Sequence, residues 1–335
     1  MKRRFSPGMF VIFSAILTLA TILIAPMVGL KLLSFQEILQ GVQGGTNPDA
    51  LIFFKIRLPR VFAGLITGAS LAVAGVLFQA LLRNPLATPY TLGVSSGGAL
   101  GAVLAIKLGL SISFLGFSAI HAASFLGSIV TIFLVFLLSR QFGKISILTM
   151  ILAGVTVSFL AGAFIMLIHF LADFTQTRQM IRWTMGGLDT VQSGQILPIT
   201  PLLLLVFMVT YFYYKTLNIL SLSDDTARSK GVDVSKIQIL LFILGSFLTG
   251  IVVAVAGPIG FVGLIIPHLV RGIIGPNHRY LLPASFLLGG TFLVWSDTIA
   301  RTILAPAELP VGIVTAIVGG PLFLFILYRY HHSDH

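Results

Sequence analysis

The chain has 335 residues, of which 56% are hydrophobic and only 9% are charged, and its mean hydropathy is +1.02. A soluble domain carries about 25% charged residues, and a soluble fold of this size could not bury so much apolar surface. The composition excludes an ordinary soluble protein, and the net charge of +11 indicates contact with lipid headgroups rather than nucleic acid, because the Lys and Arg residues lie mainly at the ends of apolar stretches.

The chain begins with Met1-Lys2-Arg3-Arg4 ahead of a long apolar run. No small-residue cleavage site follows before Lys31, which predicts an uncleaved first helix with its N-terminus inside. Charged and turn residues divide the rest into apolar stretches, which we compare with the ~20 apolar residues that one crossing needs. The predicted crossings are 9–32, 61–82, 91–110, 118–138, 148–171, 197–215, 238–256, 262–274, 281–303 and 311–329.

The eighth stretch, 262–274, is too short to span alone as a regular helix and contains Pro267, His268 and Arg271. Hydropathy alone therefore leaves the total at nine or ten crossings. With ten crossings both termini are inside, and most Lys and Arg residues face the cytoplasm as the positive-inside rule requires. The sequence predicts an all-α fold class, a polytopic membrane helical bundle of about ten transmembrane helices, forming one membrane domain over residues 1–335.

Two polar segments interrupt the apolar pattern, residues 34–60 on the outer side and residues 218–236 on the inner side. In the inner segment, Ser223 is predicted to cap a short helix with Asp224 and Asp225 in its first turn. Gly231 is predicted to end that helix, and a second turn could follow it. Two short amphipathic helices suit docking of a soluble partner, and a plain solvated loop is the alternative.

Glycines within the apolar stretches, such as Gly68, Gly75 and Gly263, favour a tightly packed bundle with a pathway, or close helix packing alone. The sequence has no cysteine, no Walker A pattern, no HExxH, no GxSxG and no cluster of carboxylates. Asp297 and Arg301 are four residues apart and are predicted to pair on one helical face. These patterns predict a non-catalytic chain without a cofactor or a metal site of its own.

Membrane carriers that are driven by protons or sodium use relays of buried ionisable residues. Such a relay of carboxylates and histidines is missing here, which argues against a secondary transporter, and a membrane-embedded enzyme would need converging His or carboxylate groups. The energy for transport is then expected to come from another subunit.

Several long motifs carry a resemblance to a known family. They are RLPRVFAGLITGASLAVAGVLFQALLRNPLATPYTLGVSSGGALGA (57–102), WTMGGL (183–188), AGPIGFVGLIIPHLVRGIIGPNHRYLLPASFLLGG (256–290) and SDTIARTILAPAELPVGIVTAIVGGPLF (296–323). In this order they resemble the iron–siderophore and cobalamin (FecCD-type) permeases of binding-protein-dependent ABC importers. The resemblance runs over essentially the whole chain.

The resemblance implies ten helices in each subunit and a pair of permease subunits, either two copies or two related chains, around a central path lined by the fifth and tenth crossings. It also implies a dimer of cytoplasmic ABC ATPases that use ATP, and an extracytoplasmic substrate-binding protein, periplasmic or lipid-anchored. The resemblance further implies that this chain lies in the cytoplasmic membrane of a prokaryote. Iron–siderophore is the expected cargo, and haem, cobalamin or another metal chelate is the alternative.

The resemblance also assigns roles to residues. Arg57, Arg60 and Arg301 match outer arginines that pair with glutamates of the binding protein, with interfacial snorkelling of Arg57 and Arg60 as the alternative. Glu308 is expected to orient this rim, and Ser146 and Thr149 match an inner gate. The residues expected to couple to the ATPase are Leu222, Ser223, Asp224, Asp225, Ala227, Arg228, Gly231 and Val232.

Overall fold

A computed structural model describes residues 6–29, 33, 48–114, 116–141, 144–189, 191 and 193–331. Its helices are α1 (Pro7–Ile24), α2 (Pro48–Ile52), α3 (Leu58–Leu81), α4 (Val94–Lys107), α5 (Ala119–Ser139), α6 (Ile147–Phe170), α7 (Phe174–Thr184), α8 (Ser193–Phe212), α9 (Tyr214–Leu220), α10 (Asp224–Ser229), α11 (Val234–Ala256), α12 (Val262–Ile274), α13 (His278–Ala300) and α14 (Val311–His331). The predicted all-α class is confirmed, since each predicted crossing coincides with one of these helices.

Short irregular elements complete the described chain. A π-helical turn, Phe53–Arg57, joins α2 to α3, and 3₁₀ turns lie at Ala25–Met27 and Pro89–Leu92. Two antiparallel ladders of two residues per strand pair β1 (Ser113–Phe114) with β2 (Phe117–Ser118), and β3 (Arg140–Gln141) with β4 (Lys144–Ile145).

Six helices of the described chain are long and apolar enough to cross a membrane, with α2, the π turn and α3 counted as one helix of 34 residues. Three more predicted crossings, α4, α12 and part of α14, are apolar helices of only 10–17 residues. The remaining predicted crossing, α13, has 23 residues but carries polar and charged groups, including His278, Arg279 and Asp297. Its polar ends lower its hydropathy, although its length of about 35 Å is sufficient to span.

Helix α3 is the centre of the bundle, because 89% of its most apolar stretch is buried. It packs against α11, α12 and α13. The approach to α12 is backbone to backbone: a Cβ atom added at Gly263 would lie 2.6 Å from the carbonyl oxygen of Leu71. Close helix packing therefore explains this glycine, as it does for small residues at membrane-helix interfaces generally.

Two predicted boundaries are wrong, and the second error involves charged residues. The first crossing was expected over 9–32, but α1 ends at Ile24 and a 3₁₀ turn containing Pro26 follows; residues 30–32 lie outside the described residues. The second was expected to begin at residue 61, but its helix begins at Pro48. The helix continues through Arg57 and Arg60 because buried partners satisfy these side chains, so they do not mark a membrane boundary.

The ends of the crossing helices form two surfaces. We call the one that carries Arg57, Arg60 and Arg301 the arginine face. The other, which carries residues 213–233 and the turn between α12 and α13, we call the loop face. Hydrogen bonds between Asn218 of α9 and both Asn277 and His278 join the two parts of the loop face.

Candidate functional site

Arg60 lies at the centre of the arginine face. Its Nε and Nη2 atoms each donate to the Asp297 carboxylate at 2.9 Å, and its Nη1 donates to Glu308 at 2.8 Å. The Asp297 side chain is only 6% exposed, whereas that of Glu308 is 44% exposed. Two-pronged pairing of this kind is the strongest geometry open to a guanidinium and a carboxylate. Arg60 thus binds one buried and one accessible carboxylate.

Arg57 and Arg301 bind the 3₁₀ turn Ala25–Met27, which directly follows α1. Arg57 Nη1 donates to the carbonyls of Pro26 and Met27 at 3.1 and 3.2 Å. Arg301 Nη2 donates to the carbonyl of Ala25 at 2.9 Å, and its Nε lies 3.7 Å from Asp297. Carbonyls at a helix C-terminus lack partners within the helix and favour cations. The predicted pairing of Asp297 with Arg301 is confirmed, and both arginines also cap this turn.

The structure brings Arg57, Arg60 and Arg301 together as the lining of one cavity, beside Glu308. None of the three side chains extends freely into solvent, because each already binds carbonyls or carboxylates of its own chain. Asp49 adds a further negative charge that interacts with Arg57. Docking of a partner on these arginines remains a prediction, and it requires the partner to compete with internal acceptors.

On the loop face, the predicted short helix is present as α10. Ser223 caps it by accepting a 3.0 Å hydrogen bond from the Thr226 N–H, and Asp224 and Asp225 lie in its first turn. Gly231 adopts a φ of +77°, which glycine tolerates best, and terminates the segment as predicted. The second short helix is α9, which precedes α10. The expectation of a second turn after Gly231 is wrong, because Asp233 there caps the long α11 instead.

The predicted coupling residues differ in accessibility. The side chains of Ala227 and Val232 turn inward, and the Val232 N–H donates to the Ala227 carbonyl at 3.0 Å. Leu222 is 68% exposed although it is a large apolar residue. Asp225, Arg228 and Gly231, which follow it in sequence, are also exposed. This part of the loop face therefore combines an apolar side chain with charges of both signs.

A hydrogen bond from the Lys236 side chain lowers the pKa of the exposed Asp233 carboxyl. The carboxyl also accepts the Lys236 N–H at 3.2 Å. The cap of α11 is consequently charged at neutral pH, where an anion favours the positive end of a helix.

The predicted gate residues form a helix cap. Ser146 accepts a 3.3 Å hydrogen bond from the Thr149 N–H and a 2.8 Å hydrogen bond from the Thr149 hydroxyl. They lie directly after β4, at the loop-face end of α6. The structure brings the two residues together, and their role as a gate remains a prediction.

Sequence reasoning found the pairing of Arg301 with Asp297 and placed Glu308 at this rim, but it missed the partners of Arg57 and the pairing of Arg60 with Asp297. The acceptors of Arg57 are backbone carbonyls about 30 residues away, and Arg60 and Asp297 are 237 positions apart. The spacing of Asp297 and Arg301 was the signal within the sequence pattern, and the family resemblance supplied Glu308. Among the described residues, no three His, Asp or Glu side chains converge as a metal site would require. The two faces thus offer charged and apolar groups for binding partners.

Comparison with known proteins identifies the family. The model of the FecCD transport family matches residues 17–329. The hemin transport system permease protein HmuU of Yersinia pestis is 38% identical over 332 residues, which cover 98% of each chain. The cobalamin import system permease protein BtuC of Halobacterium salinarum is 40% identical over 279 residues, covering 83% of this chain and 73% of the relative.

A solved structure agrees over nearly the full length. It shows an inward-facing conformation of a metal-chelate type ABC transporter, with a TM-score of 0.84 and 33% identity over 97% of this chain and 100% of that one. The family model, the sequence relatives and the shared fold show together that this chain belongs to the FecCD transport family of ABC importer permeases.

Proposed function

We propose that this permease carries a ferric siderophore across the cytoplasmic membrane of a prokaryote. The observation that carries the proposal is the similarity to the iron(3+)-hydroxamate import system permease protein FhuG of Bacillus subtilis, which is named for a ferric chelate and is 33% identical over 95% of this chain. The solved metal-chelate type transporter of the same fold supports the same cargo class. Haem is the nearest alternative, and the similarity to a cobalamin permease favours cobalamin as a second candidate.

In the proposed orientation both termini and the loop face are cytoplasmic, and the arginine face is extracytoplasmic. The loaded binding protein docks on the arginine face, and a dimer of separate ATPase subunits docks on the loop face. A second permease subunit, identical or related, completes the path. ATP binding and hydrolysis in the ATPase drive alternating access, and no covalent chemistry occurs in this chain.

The cargo is tested by uptake into proteoliposomes that contain the permease with its ATPase and binding protein. ATP is enclosed on the side of the loop face. Labelled ferric siderophore, hemin and cobalamin are each added in separate reactions on the side of the arginine face. We expect ATP-dependent uptake of the siderophore and weaker uptake of the other two. Preferred uptake of hemin or cobalamin would replace the proposed cargo, and uptake by the permease without the ATPase would contradict the proposed energy source.

Docking on the arginine face is tested by Glu308→Gln. This change removes the accessible carboxylate that competes for Arg60 and leaves the buried pair with Asp297 intact. An exposed ion pair contributes up to about 1 kcal/mol, so we expect the affinity for the binding protein to rise by up to about fivefold. Affinity is measured by surface plasmon resonance with the transporter in nanodiscs.

The matched control is Asp189→Asn, which removes a carboxylate paired with the exposed Arg182. Asp189 follows α7 and does not line the arginine cavity. We expect no change in affinity for this variant. An affinity that is equal in Glu308→Gln and the parent protein would contradict the idea that partner carboxylates bind Arg60.

A further inference from the structure

Arg83 occupies an unusual place between α3 and the loop face. It follows Leu82, the residue that caps the C-terminus of α3, and its φ is +46°. Residues other than glycine rarely adopt this left-handed conformation, and they keep it where the surroundings hold them there. Arg83 thus occupies the position just past the C-terminus of α3, where a left-handed residue commonly ends a helix and glycine is the usual residue.

Contacts of the Arg83 side chain join the two short helices of the loop face. Arg83 Nε donates to the carbonyl of Leu220 at 3.0 Å, at the end of α9, and Nη2 forms an ion pair with Asp224 at the start of α10. One planar guanidinium thus binds both sides of the link between α9 and α10. A lysine ammonium, being a single point charge, does not reproduce this forked geometry.

Arg83 joins this segment to α3, which is the most buried of the long apolar helices described above. Arg83 lies at the loop-face end of α3, and Arg60 lies in the first turn of the same helix on the arginine face. By contrast, α10 is only six residues long, and a helix of this length is not stable without tertiary contacts. The position of α10 relative to the bundle therefore depends on contacts such as the one with Arg83.

We propose that Arg83 is a positioning residue that fixes the segment α9–α10 to α3, so that movement of a docked ATPase is transmitted into the bundle. The inference rests on the proposed function, in which the ATPase docks on this segment. Without Arg83, α10 still presents its exposed side chains to the ATPase, but it shifts without moving α3. Docking then persists while hydrolysis and transport become uncoupled.

The test uses the full transporter in proteoliposomes and the variant Arg83→Gly. Glycine adopts the observed φ without strain, so this change removes the side chain and leaves the backbone conformation accessible. We expect ATPase co-purification and the thermal unfolding midpoint to match the parent protein. The number of cargo molecules taken up per ATP hydrolysed should fall about tenfold, within the range by which single contacts modulate coupling.

Arg83→Lys should give an intermediate ratio of uptake to hydrolysis, and Arg182→Gln serves as the control. Arg182 is an exposed arginine of α7 that also pairs with an aspartate, Asp189, and α7 follows the end of α6 opposite the loop face. Its replacement removes the same charge and should leave the ratio unchanged. An unchanged ratio in Arg83→Gly would overturn the proposal.

A charge exchange provides a second test. Arg83→Asp and Asp224→Arg are each expected to uncouple transport, and Asp tolerates a left-handed φ better than most residues. The double variant should recover part of the ratio, because it restores the ion pair but not the hydrogen bond to Leu220. Absence of any recovery would contradict the role of the pair.

The results separate this inference from the proposed function. Loss of the ATPase from Arg83→Gly would overturn transmission by Arg83 while supporting docking on the segment. Retention of the ATPase by a permease with Leu222→Asp would instead contradict the docking itself, whatever Arg83 does.

Discussion

Asp297→Ala should lower the free energy of unfolding by about 3–5 kcal/mol, the usual effect of removing one member of a buried ion pair. Asp297 accepts both prongs of Arg60 and lies 3.7 Å from Arg301 Nε. Its removal leaves two largely buried guanidinium groups without this shared carboxylate, and the remaining acceptors cannot neutralise both. We therefore expect α3 and α13 to separate at the arginine face.

Stability is measured by denaturant and thermal unfolding of the purified permease in detergent. Glu308→Gln is the matched control, because Glu308 binds the same Arg60 at 2.8 Å but is largely exposed. An exposed pair contributes at most about 1 kcal/mol, so the control should be nearly as stable as the parent. Equal losses in both variants would show that burial of Asp297 does not set its contribution.

A double variant sharpens this test. Replacing a buried pair by apolar residues of similar volume is often neutral, because neither charge remains buried alone. Arg60→Met combined with Asp297→Leu should therefore recover part of the stability that Asp297→Ala loses. A double variant less stable than Asp297→Ala would indicate that the pair contributes more than the avoidance of an unpaired charge.

Leu222→Asp is expected to reduce the affinity of the ATPase about 10- to 100-fold. A fully buried leucine contributes about 1.5–3 kcal/mol, and Leu222 is an exposed apolar residue of the proposed ATPase surface. An aspartate there places a charge where the partner is expected to bury an apolar group. Co-purification of the ATPase and its dissociation constant in nanodiscs measure the effect.

Leu108→Asp is the control for this prediction. Leu108 is also 68% exposed but caps the end of α4 on the arginine face, on the other side of the bundle. It should leave the affinity of the ATPase unchanged. An equal loss in both variants would indicate a general effect of an added charge on the permease rather than a docking surface around Leu222.

Some of the candidate site was readable from local sequence. Ser223, the acidic first turn of α10 and Gly231 form a capped helix because capping depends on a few consecutive residues. Asp297 and Arg301 pair because a spacing of four places them on one helical face. These features needed no knowledge of how the helices pack.

Other parts depended on helices that are distant in sequence. Arg60 meets Asp297 only because α3 packs against α13, and Arg83 meets Asp224 only because the link between α9 and α10 lies at the C-terminal end of α3. Reading Arg57 and Arg60 as membrane-boundary residues placed the start of the second crossing too late. A hydropathy scale gives every charged residue the same polar value, whether it is exposed or paired. The partner that allows Arg60 to be buried lies on another helix, so the scale could not place it inside the bundle.

The sequence by itself determined that this protein is a bundle of membrane-crossing helices, because apolar length and composition leave no other stable fold in lipid. The order of its long motifs also indicated its family. Only the tertiary structure decided which charges are neutralised inside the bundle and which remain accessible to partners. That distinction arises because the pairing of buried charges depends on side-chain geometry between packed helices, which hydrophobic pattern does not encode.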